Sequence, residues 1–145
     1  MVCNDKIRIK KRAIIVDLDG TLVHNPDWDG TLECFYRNIT EGVPIYWCQD
    51  LVERYSKDTE IIFLTARSDA YRSITNCQLR TWFDIKYQLY MRDKDDLRAD
   101  YEVKKDYIIE LKKQYDILFC IDDNIGNCAM YRELDLVALH VQQGL

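Results

Sequence analysis

Two aspartates one residue apart, Asp17 and Asp19, end the apolar run AIIV (residues 13–16) and are followed at once by Gly20 and Thr21. A carboxylate at the end of a buried strand is costly without a partner, and two close together repel. Positions two apart in an extended segment project from the same side. A second acidic pair, Asp122 and Asp123, follows the apolar run ILFCI at residues 117–121. If these four carboxylates converge, they require a cation. A hard divalent ion with oxygen ligands meets that need, and Mg²⁺ is favoured where phosphate supplies further ligands. Thr65 offers a hydroxyl and Lys104 a positive charge, both suited to the non-bridging oxygens of a phosphoryl group. An aspartate can attack phosphorus and split one displacement into two. A second carboxylate can protonate the leaving alcohol and then activate water. That division of labour assigns Asp17 as nucleophile and Asp19 as general acid/base. Any one of these residues alone reads as a solvated group at a strand end; the set together does not.

Bringing them to one place requires a particular architecture. Apolar runs at residues 13–16, 60–66, 86–91, 117–121 and 136–141 read as strands. Those at 13–16 and 117–121 have the continuous apolar character of strands buried on both faces. Between them lie helical patterns. Cys48, Leu51, Val52 and Tyr55 share one face after Pro44, and Tyr71, Ile74, Cys77 and Trp82 share another after the caps Ser68 and Asp69. Val103, Tyr107, Ile108 and Leu111 form a third apolar face, and a short helix precedes the last strand. The stretch HNPDWDGTLECFYRN (residues 24–38) reads as a loop or small insertion. Alternation of strand and helix predicts an α/β fold, a parallel sheet with helices on both faces. Ligands of such sheets bind at the carboxyl ends of the strands, where the strand order reverses, and the candidate residues occupy those ends.

The 145 residues are expected to form one domain, with residues 1–11 as a basic lead-in. Twenty basic against twenty-five acidic residues give a net charge of −5, which argues against strong nonspecific nucleic-acid binding. The basic run at residues 6–12, KIRIKKR, reads as a solvated edge leading into the first strand. Six cysteines without a C-x-x-C pair, and only two histidines, make a zinc site a poor reading. A reducing, cytoplasmic setting is the expectation, without secretory signal or membrane span.

DLDGT at residues 17–21, FLT ending in Thr65, Lys104, and the pair Asp122–Asp123 resemble the four motifs of the haloacid dehalogenase (HAD) superfamily, in that superfamily's order. The resemblance implies a Rossmann-like HAD fold and, with an acid at Asp19, a phosphatase or phosphomutase. A minimal cap is expected, because little chain separates the motifs. A closer resemblance, over residues 12–145, is to the 3′-phosphatase domain of bacteriophage-type polynucleotide kinase–phosphatases. It rests on LTAR ending in Arg67, LRTW at residues 79–82, Arg92, Asp96, Arg98, Asp100, Val103 and Lys104 in the charged loop, IDDN, and the closing HVQQG.

This resemblance implies that Arg67 grips phosphate and that Asp100 supports Lys104 or the metal site. It also implies Mg²⁺ on Asp17, the Asp19 backbone carbonyl, Asp122 and Asp123. The expected substrate is a 3′-phosphorylated DNA or RNA end, with a separate kinase or ligase as partner, since no G-x-x-x-x-G-K-[ST] loop is present. An arginine that the family carries shortly after its first motif is missing; His24 and Trp28 stand in that loop instead. Trp28, Phe35, Tyr36 and Tyr46 could stack on a base, although packing is the simpler role for each. Two rival readings are a small-molecule phosphatase acting on nucleotides or sugar phosphates, and a noncatalytic nucleic-acid-binding module.

Overall fold

In the computed structural model, residues 9–24 and 29–142 are described. Cys3, residues 6–8 of the basic run, Trp28 and the last three residues of the chain lie outside them. In chain order the elements are β1 (Lys11–Val16), β2 (Val23–His24), α1 (Leu32–Glu41), β3 (Val43–Pro44), α2 (Tyr46–Tyr55), β4 (Glu60–Ser68), α3 (Arg72–Trp82), β5 (Gln88–Arg92), α4 (Asp100–Gln114), β6 (Tyr115–Asp122), α5 (Ile125–Glu133) and β7 (Ala138–His140). A 3₁₀ turn, Asp69–Tyr71, leads into α3.

β1 is the central strand of a five-stranded sheet ordered β5-β4-β1-β6-β7, and every pairing in it is parallel. The strand is buried on both sides, so its apolar run is continuous rather than alternating. Ile14 and Val16 face one core with Cys48, Val52, Phe63 and Leu79. Ala13 and Ile15 face the other with Ile62, Ile108, Leu111 and Tyr131. Each fully buried Ile or Leu here contributes about 1.5–3 kcal/mol of transfer free energy. The chain adds β4 and β5 on one side of β1 and then crosses to add β6 and β7 on the other. The order therefore reverses at β1, which puts the ligand-binding crevice at its carboxyl end.

α4 shows how the sequence aims a charge into this edge. Val103, Lys104, Ile108 and Leu111 form its buried stripe, so Lys104 occupies a position where an apolar residue would be ordinary. Acids in the first turn and lysines in the last match the helix dipole. Glu102 also reaches back to accept from the Ala99 backbone N–H at 3.1 Å.

Of the two readings of residues 24–38, loop or small insertion, the described residues bear out the insertion: Leu32–Glu41 is the helix α1. The Asp29 carboxylate accepts from the Thr31 backbone and hydroxyl at 2.8 and 2.6 Å, and Thr31 in turn caps the helix by accepting from Cys34 N at 3.1 Å. Only Cys34, Asn38 and Ile39 of this helix are buried, too few apolar positions for a clear sequence signal. With the two-residue ladder between β2 and β3, α1 forms the small insertion after β1.

Candidate active site

Asp17 leaves β1 with its backbone N–H donating to the Ile121 carbonyl of β6 at 3.0 Å, so the first and fourth candidate segments are joined directly. Its carboxylate is almost fully buried. Lys104 Nζ donates to Asp17 Oδ1 at 2.8 Å and to Asp122 Oδ2 at 2.7 Å, bridging the two acids. Thr21 Oγ1 lies 3.2 Å from Asp17 Oδ2 and 3.3 Å from Asp123 Oδ1. Asp122 also accepts from the Tyr131 hydroxyl at 3.1 Å, the Asn124 backbone at 3.0 Å and Asn127 Nδ2 at 3.2 Å. These donors hold the buried carboxylate in a single orientation.

Three acids against one ammonium leave this half of the site short of positive charge. Carboxylate oxygens of Asp17, Asp122 and Asp123 lie within 4.8 Å of one another. Burial, reinforced by Asp122 and Asp123, pushes the Asp17 carboxyl well above its ordinary range against the pull of Lys104. Burial likewise raises Asp123, with Asp122 adding to the effect. Burial alone would lower Lys104, but Asp17, Tyr131 and Asp122 outweigh it and hold the ammonium charged. With all three acids ionised the excess amounts to two negative charges, which one divalent cation balances. Its ligands would be hard oxygens, as Mg²⁺ requires.

Two further observations fit a cation. Asn127 Oδ1 is buried with no hydrogen-bond partner. Gly20 has φ +82°, and a Cβ there would lie 2.3 Å from Asp123 Oδ2. Only glycine allows the backbone to come this close to the acid.

Asp19 has a different environment. Arg67 Nε and Nη2 each donate to one of its oxygens at 2.8 Å, a bidentate pair. The Arg67 side chain is fully buried, whereas that of Asp19 is 29% exposed. The resemblance assigned Arg67 to phosphate; in the structure its guanidinium is bonded to Asp19, and Nη1 is bonded to Thr75 and Gln78. Thr65 Oγ1 accepts from the Arg67 backbone N–H at 3.1 Å, which leaves the hydroxyl's own hydrogen to donate. β4 continues past Thr65 to Ser68, and its register against β5 shifts between those two residues.

Asp100 also differs from expectation in its partner. It accepts from Arg92 Nη2 at 2.5 Å, while Lys104 bonds Asp17 and Asp122. Arg92 further donates to the carbonyls of Ala66, Asp96 and Arg98, tying the charged loop to the end of β4.

One cleft of about 490 Å³ is lined by all eight candidate residues: Asp17, Asp19, Thr65, Arg67, Asp100, Lys104, Asp122 and Asp123. Gly20, Phe35, Arg92, Asn124 and Asn127 line it as well. Of the aromatic residues considered for stacking, Phe35 is in the cleft wall, while Tyr36 and Tyr46 are not among its lining residues. His24 pairs with Val43 in the small ladder, away from that lining. A larger open depression, about 1090 Å³, sits where β4 and β5 begin and contains none of the candidates. Sequence reasoning missed Asn127 and Tyr131 as partners of Asp122. Their one available signal was the four-residue spacing between them, which puts both on one face of α5.

Residues 11–145 match the family model for the polynucleotide kinase PNKP phosphatase domain. A chain of the Pnkp1/Rnl/Hen1 RNA repair complex is similar with a TM-score of 0.79 and 28% identity, over 93% of this chain and 43% of that one. A chain from a second structure of the Pnkp1/Rnl/Hen1 complex gives 0.80 and 30%, over 94% and 47%. The present chain thus spans less than half the length of either. A haloacid dehalogenase-like hydrolase from Streptococcus pneumoniae shares the fold at a TM-score of 0.63 and 16% identity, over 94% of this chain and 86% of that one. No curated protein matches. A match over nearly the whole chain, together with the Rossmann-like sheet and its acidic edge, places the chain in the PNKP phosphatase-domain family of HAD-type phosphatases.

Proposed function

We propose that the chain is a Mg²⁺-dependent phosphomonoester hydrolase that removes 3′-phosphates from DNA or RNA ends through an aspartyl-phosphate on Asp17. The observation that carries this reading is the pairing of two aspartates, two positions apart, with two different cations in one cleft: Asp17 with Lys104, Asp19 with Arg67. One carboxylate is thereby set up to attack and the other to move a proton.

Asp17 Oδ attacks phosphorus, and the bond from phosphorus to the ester oxygen breaks. Asp19 gives its proton to that oxygen, so the leaving group departs as an alcohol. Asp19, now a carboxylate, takes a proton from water as the water attacks the aspartyl-phosphate. Inorganic phosphate leaves and the Asp17 carboxylate is regenerated. Lys104 and the Thr65 hydroxyl hold the phosphoryl oxygens, and Arg67 orients Asp19. Asp17, the Asp19 backbone carbonyl, Asp122 and Asp123 would hold Mg²⁺, whose charge would keep these acids ionised and offset the phosphate's own. Asp100 and Arg92 fix the charged loop at the mouth of the cleft.

A polynucleotide end as substrate is supported by family membership and by the RNA repair complex in which a similar chain is found. The same likeness supports a kinase or ligase as working partner. Among the described residues no helix is long and apolar enough to cross a membrane. The buried thiols Cys48, Cys120 and Cys128 support a reducing, cytoplasmic setting as part of this reading.

Inorganic phosphate release from oligonucleotides bearing 3′- or 5′-phosphate, and from 3′- and 5′-mononucleotides, tests the reading, with EDTA and Asp17→Asn as blanks. Mg²⁺-dependent release from the 3′-phosphate oligonucleotide is the expected result. Release confined to mononucleotides moves the substrate to small molecules, and release from none overturns the enzyme reading.

A further inference from the structure

We propose that Gln78 is a positioning residue for Asp19, acting through Arg67, and that it joins the acid–base carboxylate to the end of helix α1. The inference rests on the phosphatase reading above.

Gln78 is a buried side chain of α3, 8% exposed. Its Oε1 accepts from Arg67 Nη1 at 3.0 Å, and its Nε2 donates to the Asn38 carbonyl of α1 at 3.2 Å. These two partners have opposite needs. A guanidinium only donates and a backbone carbonyl only accepts, so the amide has one orientation that satisfies both. A carboxylate at this position has no hydrogen for Asn38, and an apolar side chain satisfies neither.

Thr75, one turn earlier on the same face of α3, accepts from the same Nη1 at 3.3 Å. Arg67 is thus gripped along one edge by α3 while its other edge delivers two parallel bonds to Asp19. Because the guanidinium is planar, fixing the first edge fixes the direction of the second. The orientation of Asp19 is therefore set from behind, by residues that do not line the cleft.

The joint with α1 is tight as well. The Asn38 carbonyl also accepts from Gly42 N at 2.9 Å, closing the helix end. A Cβ at Gly42 would lie 2.3 Å from that carbonyl oxygen and 3.2 Å from Gln78 Nε2. Any displacement of the end of α1 is thus transmitted to the Gln78 amide, and from it to Arg67 and Asp19.

A proton donor is needed most where the leaving oxygen is a poor anion. Misplacing Asp19 therefore slows loss of an alkyl alcohol far more than loss of p-nitrophenolate, which departs without a proton. The parameter to compare is kcat/KM, which reports on events up to departure of the leaving group and excludes hydrolysis of the aspartyl-phosphate. The esters are a 3′-phosphorylated oligonucleotide and p-nitrophenyl phosphate, with the full chain in Mg²⁺.

Gln78→Met is expected to lose about 10- to 100-fold in kcat/KM on the oligonucleotide, through kcat, and less than about threefold on the aryl ester. Gln78→Glu keeps an acceptor facing Arg67 and is expected to fall between wild type and Gln78→Met. Circular dichroism and melting temperature establish that each variant is folded; if Gln78→Met is not, Gln78→Glu carries the same contrast alone. Equal losses on both esters, or no loss on either, overturn the positioning role while leaving the phosphatase reading intact. A wild-type chain that turns over neither ester overturns the phosphatase reading and this inference with it.

Discussion

Asp17 and Asp19 are neighbours in sequence and near-opposites in setting. Asp17 shares one ammonium with Asp122 and sits beside Asp123, so its surroundings hold more negative than positive charge. Asp19 has a guanidinium bonded to both its oxygens, one cation to one acid. The first arrangement invites another cation; the second asks for none. A lysine's point charge suits sharing, whereas an arginine's fork suits an exclusive partner. In the proposed mechanism, two residues of backbone therefore separate the metal-and-nucleophile half from the proton-transfer half. The phosphoryl group would lie between them.

The contrast is broken most directly through turnover. Asp17→Asn is expected to lower phosphate release by at least about 10³-fold on every ester, because no aspartyl-phosphate can form. Asp19→Asn is expected to lower kcat/KM on an alkyl phosphate by about 10²–10⁴ and on an aryl phosphate much less. Steady-state assays on matched esters check both, and identical ester profiles for the two variants would erase the distinction between the halves.

Stability comes next. Lys104→Met leaves Asp17 and Asp122 buried against each other and is expected to cost about 3–5 kcal/mol in urea unfolding without metal. Mg²⁺ should return part of that loss. In Arg67→Met, whose orphaned acid lies in the other half, Mg²⁺ should stabilise the chain no more than it does the wild type.

The wild-type chain should also gain from Mg²⁺, by about 2.7 kcal/mol at a hundredfold excess over Kd. That gain depends on pH in a definite direction. Asp17 and Asp123 have folded values raised above the ordinary 3.8, so the metal-free native state holds more protons than the unfolded chain. Its stability falls as pH rises from the ordinary value through the raised ones, and the stabilisation by Mg²⁺ grows over the same window. Melting curves from pH 4 to pH 8, with and without Mg²⁺, measure it; a Mg²⁺ shift that shrank with rising pH would contradict the assignment. The smallest effect belongs to Arg98→Ala. Arg98 also bonds two acids, Asp96 and Asp106, and draws Asp96 down to about 2, yet it does so at the surface. Solvent and salt screen such pairs, so melting temperature and phosphate release should stay near wild type.

How much of this was legible beforehand follows from the range of each signal. The ends of β1 and β6 stood out because a fully buried strand has a continuous apolar run, and acids placed straight after one are conspicuous. Lys104 was noticed as a cation near the start of its helix. The partners were not legible. Nothing local to Arg67 says that it bonds a residue 48 positions earlier, and its assignment to phosphate followed from the family resemblance. α1 was missed because only Cys34, Asn38 and Ile39 are buried in it, and one of those is polar. Gln78 and Asn127 look like ordinary helix residues until the fold sets a guanidinium beside one and a buried carboxylate beside the other.

β1, the first strand of this sheet in chain order, is also the one at its middle. Ala13 pairs with Glu60 on one side and with Ile117 on the other, so β1 must wait for most of the chain before both its edges are covered. Closing such long loops is slow, and in the meantime Ile14, Ile15 and Val16 offer an apolar strand with an open edge. A nascent chain halted before Tyr115 would carry that edge unprotected and would be prone to pair with its own copies. Synthesis of this domain is accordingly most exposed to aggregation just before its second acidic pair arrives.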